Sequence, residues 1–219
     1  MHSFPLARPP FVVVEGLDGA GTTTQSRLLL GRLEREGQPA ILTREPSDGP
    51  IGVLIRQMLS MRVVLPLAEG GVGPIGRETL ALMFAADRLD HIDAEIRPAL
   101  AAGRLVISDR YVPSSLIYQG DVDGSEAMDY SWVQTINERA LVPDVTFFLE
   151  ASTELCLSRL DQRARRDIFE TREKMARLER RYDEVMDMLA SEGQRIVRLD
   201  ASAPIEALHE QIFAYIATL

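Results

Sequence analysis

The sequence predicts an α/β fold: a five-stranded parallel sheet flanked by helices on both faces. Two observations carry that prediction. Five short apolar runs, Phe11–Val14, Ala40–Thr43, Leu105–Ser108, Val145–Leu149 and Ile196–Leu199, are separated by helix-like sequence. Near-continuous apolar character marks strands covered on both faces, and alternation with helices is the signature of a parallel sheet. Each run is also followed by polar or charged residues: Glu15-Gly16, Arg44-Glu45-Pro46, Asp109-Arg110-Tyr111, Glu150 and Asp200-Ala201-Ser202. Ligands of open parallel sheets sit beyond the carboxyl ends of the strands, so the chemistry is expected to converge on one edge.

Taken in order, residues 1–10 read as a flexible N-terminal tail, with prolines, one arginine and no apolar signal-peptide core. The first strand, Phe11–Val14, leads into a glycine-rich turn and then a helix over Thr22–Glu36, with leucines at 28, 29, 30 and 33 and a stop at Gly37. The segment 69–76, EGGVGPIG, reads as a mobile loop from its glycines and proline. Glu78–Ala102 reads as one long helix running to Gly103, with Pro98 near its end. Trp132 falls in a further helix and reads as packing. No repeat, low-complexity tract or linker interrupts residues 11–219, which are expected to form a single domain.

Composition narrows the functional classes. With 46% hydrophobic and 26% charged residues in 219, the chain has the balance of an ordinary globule. A net charge of −9 argues against broad binding to nucleic acid or anionic membrane, since either needs a basic surface. No apolar stretch approaches the roughly 18 to 20 residues that span a bilayer. A single cysteine, Cys156, excludes an internal disulfide and fits a reducing, cytoplasmic setting, where it reads as helix packing. The three histidines, at 2, 91 and 209, show no ligand spacing. Lys174 is the sole lysine among 24 basic residues.

The turn after the first strand is nearly a phosphate-binding loop. Gly16 and Gly21 have the spacing, Thr23 can ligate magnesium, and the following helix presents its positive N-terminal end. Gly19, Ala20, Gly21, Thr22, Thr23 and Thr24 would wrap the anion with backbone amides. The departure is Thr22, which stands where the pattern has a lysine. A lysine adds a mobile charge that follows the β- and γ-phosphates during transfer; threonine offers a neutral hydroxyl.

With this loop, five motifs stand in order: Glu15-Gly-Leu-Asp-Gly-Ala-Gly21, Thr43-Arg-Glu-Pro46, Phe84-Ala-Ala-Asp-Arg88, Asp109-Arg-Tyr111 and Tyr118-Gln-Gly120. Together with Val142-Pro-Asp144 and Leu199-Asp-Ala-Ser202, they make the chain resemble thymidylate kinase from about residue 11 to Leu219. The resemblance implies a P-loop kinase fold with a mobile LID at about 159–171, and phosphoryl transfer from ATP with Mg2+ to dTMP.

It also implies residue roles. Asp18 would lie near the acceptor sugar and transferring phosphate. Asp109 would organise magnesium together with Thr23, and Arg110 and Arg56 would grip the acceptor phosphate. Phe84 and Arg88, four apart on one helix face, would stack on and hydrogen-bond the base. Glu45, Pro46, Ser114, Ser115, Tyr118 and Gln119 would complete the substrate pocket, and Asp200 and Ala201 would border adenine. Arg163, Arg165 and Arg166 in the LID are candidates to reach the transferred phosphate. A homodimer through apolar helix faces is a further implication. Because Thr22 replaces the lysine, two alternatives stand beside this reading: a nucleotide-binding protein with weak or no activity, and a kinase of another nucleoside monophosphate.

Overall fold

The computed structural model describes residues 8–120, 130–163 and 172–219. Five parallel strands form the sheet: β1 (Phe11–Gly16), β2 (Ala40–Arg44), β5 (Leu105–Asp109), β6 (Val145–Glu150) and β7 (Ile196–Asp200), in the spatial order β2-β5-β1-β6-β7. The five apolar runs are these strands, each extended by one or two polar residues at its carboxyl end. β1 is central, and its neighbours β5 and β6 lie on opposite sides of the direction in which the chain winds. That strand is therefore the switch point, where a crevice opens beyond the carboxyl ends.

Alternation along the central strands divides the core. Val12 and Val14 align with Val145 and Phe147, and Phe147 packs edge-on against Tyr215 of α9 (Ile205–Ile216), with centroids 5.5 Å apart. On the opposite face Phe148 stacks on Tyr182 of α8 (Arg172–Ser191), centroids 5.4 Å apart. Phe11 and Val13 join Ile92, Ile96, Ala99 and Tyr111 in a second cluster. α1 (Thr22–Arg35) buries Leu29 and Leu33, and its Arg32 lies 3.7 Å from the Phe213 ring centroid of α9.

Two expectations change. The long helix over Glu78–Ala102 is three joined pieces: α3 (Arg77–His91), a π-helical turn (Ile92–Ile96) and α4 (Arg97–Ala101). Pro98 has no N–H for the Ala94 carbonyl, and the wider turn before it, with Arg97 N bonded to Ile92 O, absorbs the break. The segment 69–76 is not all loop. β3 (Leu65–Pro66) and β4 (Val72–Gly73) pair antiparallel, joined by a turn in which Gly70 and Gly71 take φ of 90° and 86°. The same glycines that suggested a mobile loop supply the left-handed positions a tight turn requires.

The remaining helices are α2 (Pro50–Leu59), α5 (Val112–Tyr118), α6 (Tyr130–Asn137) and α7 (Thr153–Arg163). Trp132 lies in α6 and packs against the core, and Cys156 is fully buried in α7. No helix among the described residues is long and apolar enough to cross a membrane. Ahead of β1, Arg8 pairs with Asp144 at 2.8 Å.

Candidate active site

The loop between β1 and α1 is shaped by backbone constraints that its glycines answer. Gly19 has φ 91°, and a Cβ there would sit 2.8 Å from the Cys156 carbonyl oxygen of α7. Gly21, φ 107°, caps α1 without any side-chain hydrogen bond. The first amides of a 14-residue helix are therefore left for an anion. Thr22 opens the helix and is buried.

Thr23 donates its hydroxyl to Asp109 Oδ2 at 2.5 Å, joining the first turn of α1 to the end of β5. The other oxygen, Asp109 Oδ1, is buried and has no hydrogen-bond partner among the described residues. A hydroxyl oxygen beside a carboxylate with a spare buried oxygen is a donor set that fits a hard divalent cation. Arg159 of α7 closes the other flank. Its Nη1 donates to Ala20 O at 3.0 Å and its Nη2 to Ala201 O at 2.8 Å. A cleft of about 80 Å3 lies here, lined by Gly21, Gln25, Arg159, Ala201, Ile205 and Leu208. Asp200 is exposed and accepts from Ser202 N at 2.8 Å.

Arg110 follows β5 with φ 75°, a left-handed conformation that a non-glycine residue adopts at a cost on the order of 1–3 kcal/mol. Its guanidinium pairs with Asp18 and donates to Ser114 Oγ (3.2 Å), Tyr118 Oη (3.4 Å) and Tyr182 Oη (3.2 Å). Beneath it lies Glu15, fully buried, which accepts from Tyr111 N (2.8 Å), Ser114 N (3.2 Å), Ser114 Oγ (2.9 Å) and Tyr182 Oη (3.3 Å). Burial pushes the Glu15 carboxyl up, against the opposing pull of Arg110 and these hydrogen bonds. One strand-end carboxylate thus fixes the start of α5 and the arginine above it.

The third group surrounds the loop after β2. Arg88 of α3 is almost wholly buried and spends four of its five N–H groups among the described residues. Two go to Glu45 Oε2 (2.9 and 2.6 Å), one to Ser115 Oγ (2.9 Å) and one to Asn137 Oδ1. Its guanidinium carbon stands 5.2 Å from the Tyr111 ring centroid. Phe84, one turn earlier, is half-buried. Asp87 accepts from Ser47 N at 2.7 Å and Ser47 Oγ at 2.6 Å. Arg56 of α2 donates to the carbonyls of Pro46 (2.8 Å) and Ser47 (2.7 Å) and pairs with Asp48. Gln119 Oε1 is buried without a hydrogen-bond partner among the described residues.

Asp18, Asp109, Arg110, Thr22 and Thr23 are thus gathered at the switch point, and Glu45, Arg88 and Ser115 form a joined set beside it. Arg165 and Arg166 lie outside the described residues, as does the side chain of Arg163, which ends α7. The family model for thymidylate kinase matches residues 14–212. The chain belongs to the thymidylate kinase family. It is 38% identical over 212 residues to a probable thymidylate kinase of Thermococcus kodakarensis, covering 95% of this chain and 98% of that one. It is 36% identical over 207 residues to a thymidylate kinase of Symbiobacterium thermophilum, covering 92% and 90%. To a putative thymidylate kinase of Treponema pallidum it is 32% identical over 211 residues, covering 94% of each.

Three residues of this thymidylate kinase family member join the site without having been singled out from the sequence. Glu15 was visible as a charged residue ending an apolar run, which is the available signal for a buried carboxylate. Arg159 opens the segment that the resemblance marks as a LID, where the sequence does not set it apart from its neighbours. Tyr182 sits 72 residues beyond Arg110, in a helix whose pattern says only that it is amphipathic.

Proposed function

We propose that this chain transfers the γ-phosphoryl group of ATP to the 5′-phosphate of dTMP, giving dTDP and ADP in the route to dTTP. The observation that carries the proposal is the convergence, at one sheet edge, of an uncapped helix N-terminus, the Thr23–Asp109 pair and Arg110.

The backbone amides from Gly19 to Thr24 would hold the donor phosphates, with Gly16 allowing the loop to turn. Arg159 ties that loop to the Asp200–Ala201 segment, where adenine would lie. Thr23 and Asp109 would hold magnesium, which when bound supplies charge neutralisation for the donor phosphates. Arg110 would grip the acceptor phosphate with a planar fork, and Asp18, its ion-pair partner, would orient it and the sugar. Arg56, held at the Pro46 and Ser47 carbonyls, would assist. Phe84 would stack on thymine, and Arg88 has, among the described residues, one N–H on Nη1 left to offer a base oxygen. Ser114, Ser115, Tyr118, Gln119, Glu45 and Pro46 would shape the pocket. In such a reaction the protein mainly aligns two phosphates and neutralises spread charge.

Residues 11–219 would act as one cytoplasmic domain, with a LID over about 159–171 bringing Arg163, Arg165 or Arg166 to the transferred phosphate in place of the absent lysine. Exposed apolar residues on α2 (Val53, Leu54) and α3 (Leu82, Leu89) support a homodimer. The test is formation of dTDP and ADP from dTMP and Mg-ATP, with dUMP, dGMP and CMP compared. Robust turnover with dTMP favoured is expected; binding of both nucleotides with no dTDP at high protein concentration would overturn the proposal. If Arg163, Arg165 and Arg166 can each become alanine without loss, rescue by an arginine is wrong.

A further inference from the structure

The proposed reaction leaves a buried polar cluster on the far side of Glu45 without a role. His91, the last residue of α3, is wholly buried one turn beyond Arg88. Its Nε2 lies 2.6 Å from Thr43 Oγ1 of β2, and its Nδ1 lies 3.3 Å from Glu45 Oε1. Glu95, in the π-helical turn, approaches Nε2 at 3.3 Å and accepts from the Thr43 hydroxyl at 2.9 Å.

The protonation state follows from donor counting. Thr43 has one hydroxyl proton, and it is directed at Glu95, so towards His91 the oxygen can only accept. His91 Nε2 must then carry a hydrogen. Glu45, already taking two N–H groups from Arg88, is an acceptor towards Nδ1 as well. Both ring nitrogens are donors, which defines an imidazolium. The cluster reads as an alternating row: Arg88 cation, Glu45 anion, His91 cation, Glu95 anion. A buried row of this kind holds only while each member is matched, because removing one leaves an uncompensated charge.

We propose that His91 is a positioning residue for nucleobase recognition: it occupies one oxygen of Glu45, so that the other aims Arg88 at the base. This rests on the reading of Arg88 as the base-binding arginine. Glu95, four residues beyond His91, stays within reach of both His91 and Thr43. The charged groups facing the imidazole are Glu45 from the β2–α2 loop, Glu95 from the π-helical turn and, through the field alone, Asp48.

Steady-state kinetics of the full chain carry the test. His91→Phe, which fills the space without donors, is expected to raise KM for dTMP at least tenfold, while KM for ATP and kcat at saturating dTMP stay within about twofold. His91→Gln, whose donors sit on one nitrogen while its other end only accepts, should fall between. A folded His91→Phe protein with unchanged KM for dTMP overturns the proposal. Should that variant fail to fold, nitrogen NMR of the wild-type histidines decides: both His91 nitrogens protonated at pH 7.5, with signals displaced by dTMP and not by ADP, support it. A neutral ring, or no response to dTMP, overturns it. Arg88→Lys separates the two levels. If that change leaves KM for dTMP untouched, the base-pocket reading itself has failed, whereas a raised KM there with none in His91→Phe removes only the role of His91.

Discussion

Thr23 and Asp109, 86 residues apart, meet through a 2.5 Å hydrogen bond that couples the first turn of α1 to the end of β5. Neither side chain can shift without the other, and the spare oxygen of Asp109 is buried beside them. On the proposed function, Asp109→Asn raises the magnesium concentration needed for half-maximal rate by about 10- to 100-fold. Thr23→Ser, which keeps the hydroxyl, stays near wild type. Initial rates against magnesium at fixed ATP check both, and an unaltered magnesium curve for Asp109→Asn would refute the assignment.

Thr22 is buried at the start of α1, where the motif has a lysine. If amides, a magnesium held at Thr23 and Asp109, and arginines already neutralise the phosphates, Thr22→Lys changes kcat by less than about tenfold. A preorganised charge that was truly missing is worth on the order of 3 to 4 kcal/mol, a hundred- to thousandfold in rate. A gain of that size in a kcat measurement would show the wild-type site to be incomplete.

Arg159 bridges the phosphate loop and the segment after β7 through main-chain carbonyls, so its loss loosens one flank of the ATP cleft. Arg159→Ala is expected to raise KM for ATP about tenfold and to leave KM for dTMP within twofold, a cost of roughly 1–2 kcal/mol that matches the loss of charged hydrogen bonds. Equal effects on both substrates would mean that the bridge holds the whole fold and not one flank.

His91 also links stability to pH. Burial alone would push its pKa down, but hydrogen bonds to Glu45 and Glu95 raise it from 6.5 to about 9. The native state therefore keeps a proton that the unfolded chain releases above pH 6.5. The contribution is fully present below 6.5 and is lost as pH rises through about 9. At 1.36 kcal/mol per pH unit over that interval it amounts to about 3 kcal/mol. Burial holds Tyr111, Tyr118 and Tyr182 above their ordinary value of 10, and lowers His209 below 6.5, so their own contributions to the pH dependence fall towards pH 10 and below about 6.5. Urea unfolding from pH 7 to 9 should show the decline in wild type, and a much shallower profile for His91→Gln.

Local sequence determined the elements and the phosphate loop. The apolar runs became strands because burial on both faces demands unbroken apolar side chains, and Gly19 and Gly21 were legible because few other residues tolerate their backbone angles. The register of strand ends followed, which brought Asp18, Asp109 and Arg110 together as expected. What the sequence could not disclose were partners chosen by packing. Tyr182 reaches Glu15 from 167 residues away, Arg159 finds the carbonyl of Ala201, and His91 becomes a cation only because Thr43 of β2 and Glu45 of the loop after it arrive beside the end of α3. Periodicity records which face of a helix is buried, a property of neighbours along the chain. Which polar atom waits on the far side depends on where the helix lands, and that was decided by the tertiary structure.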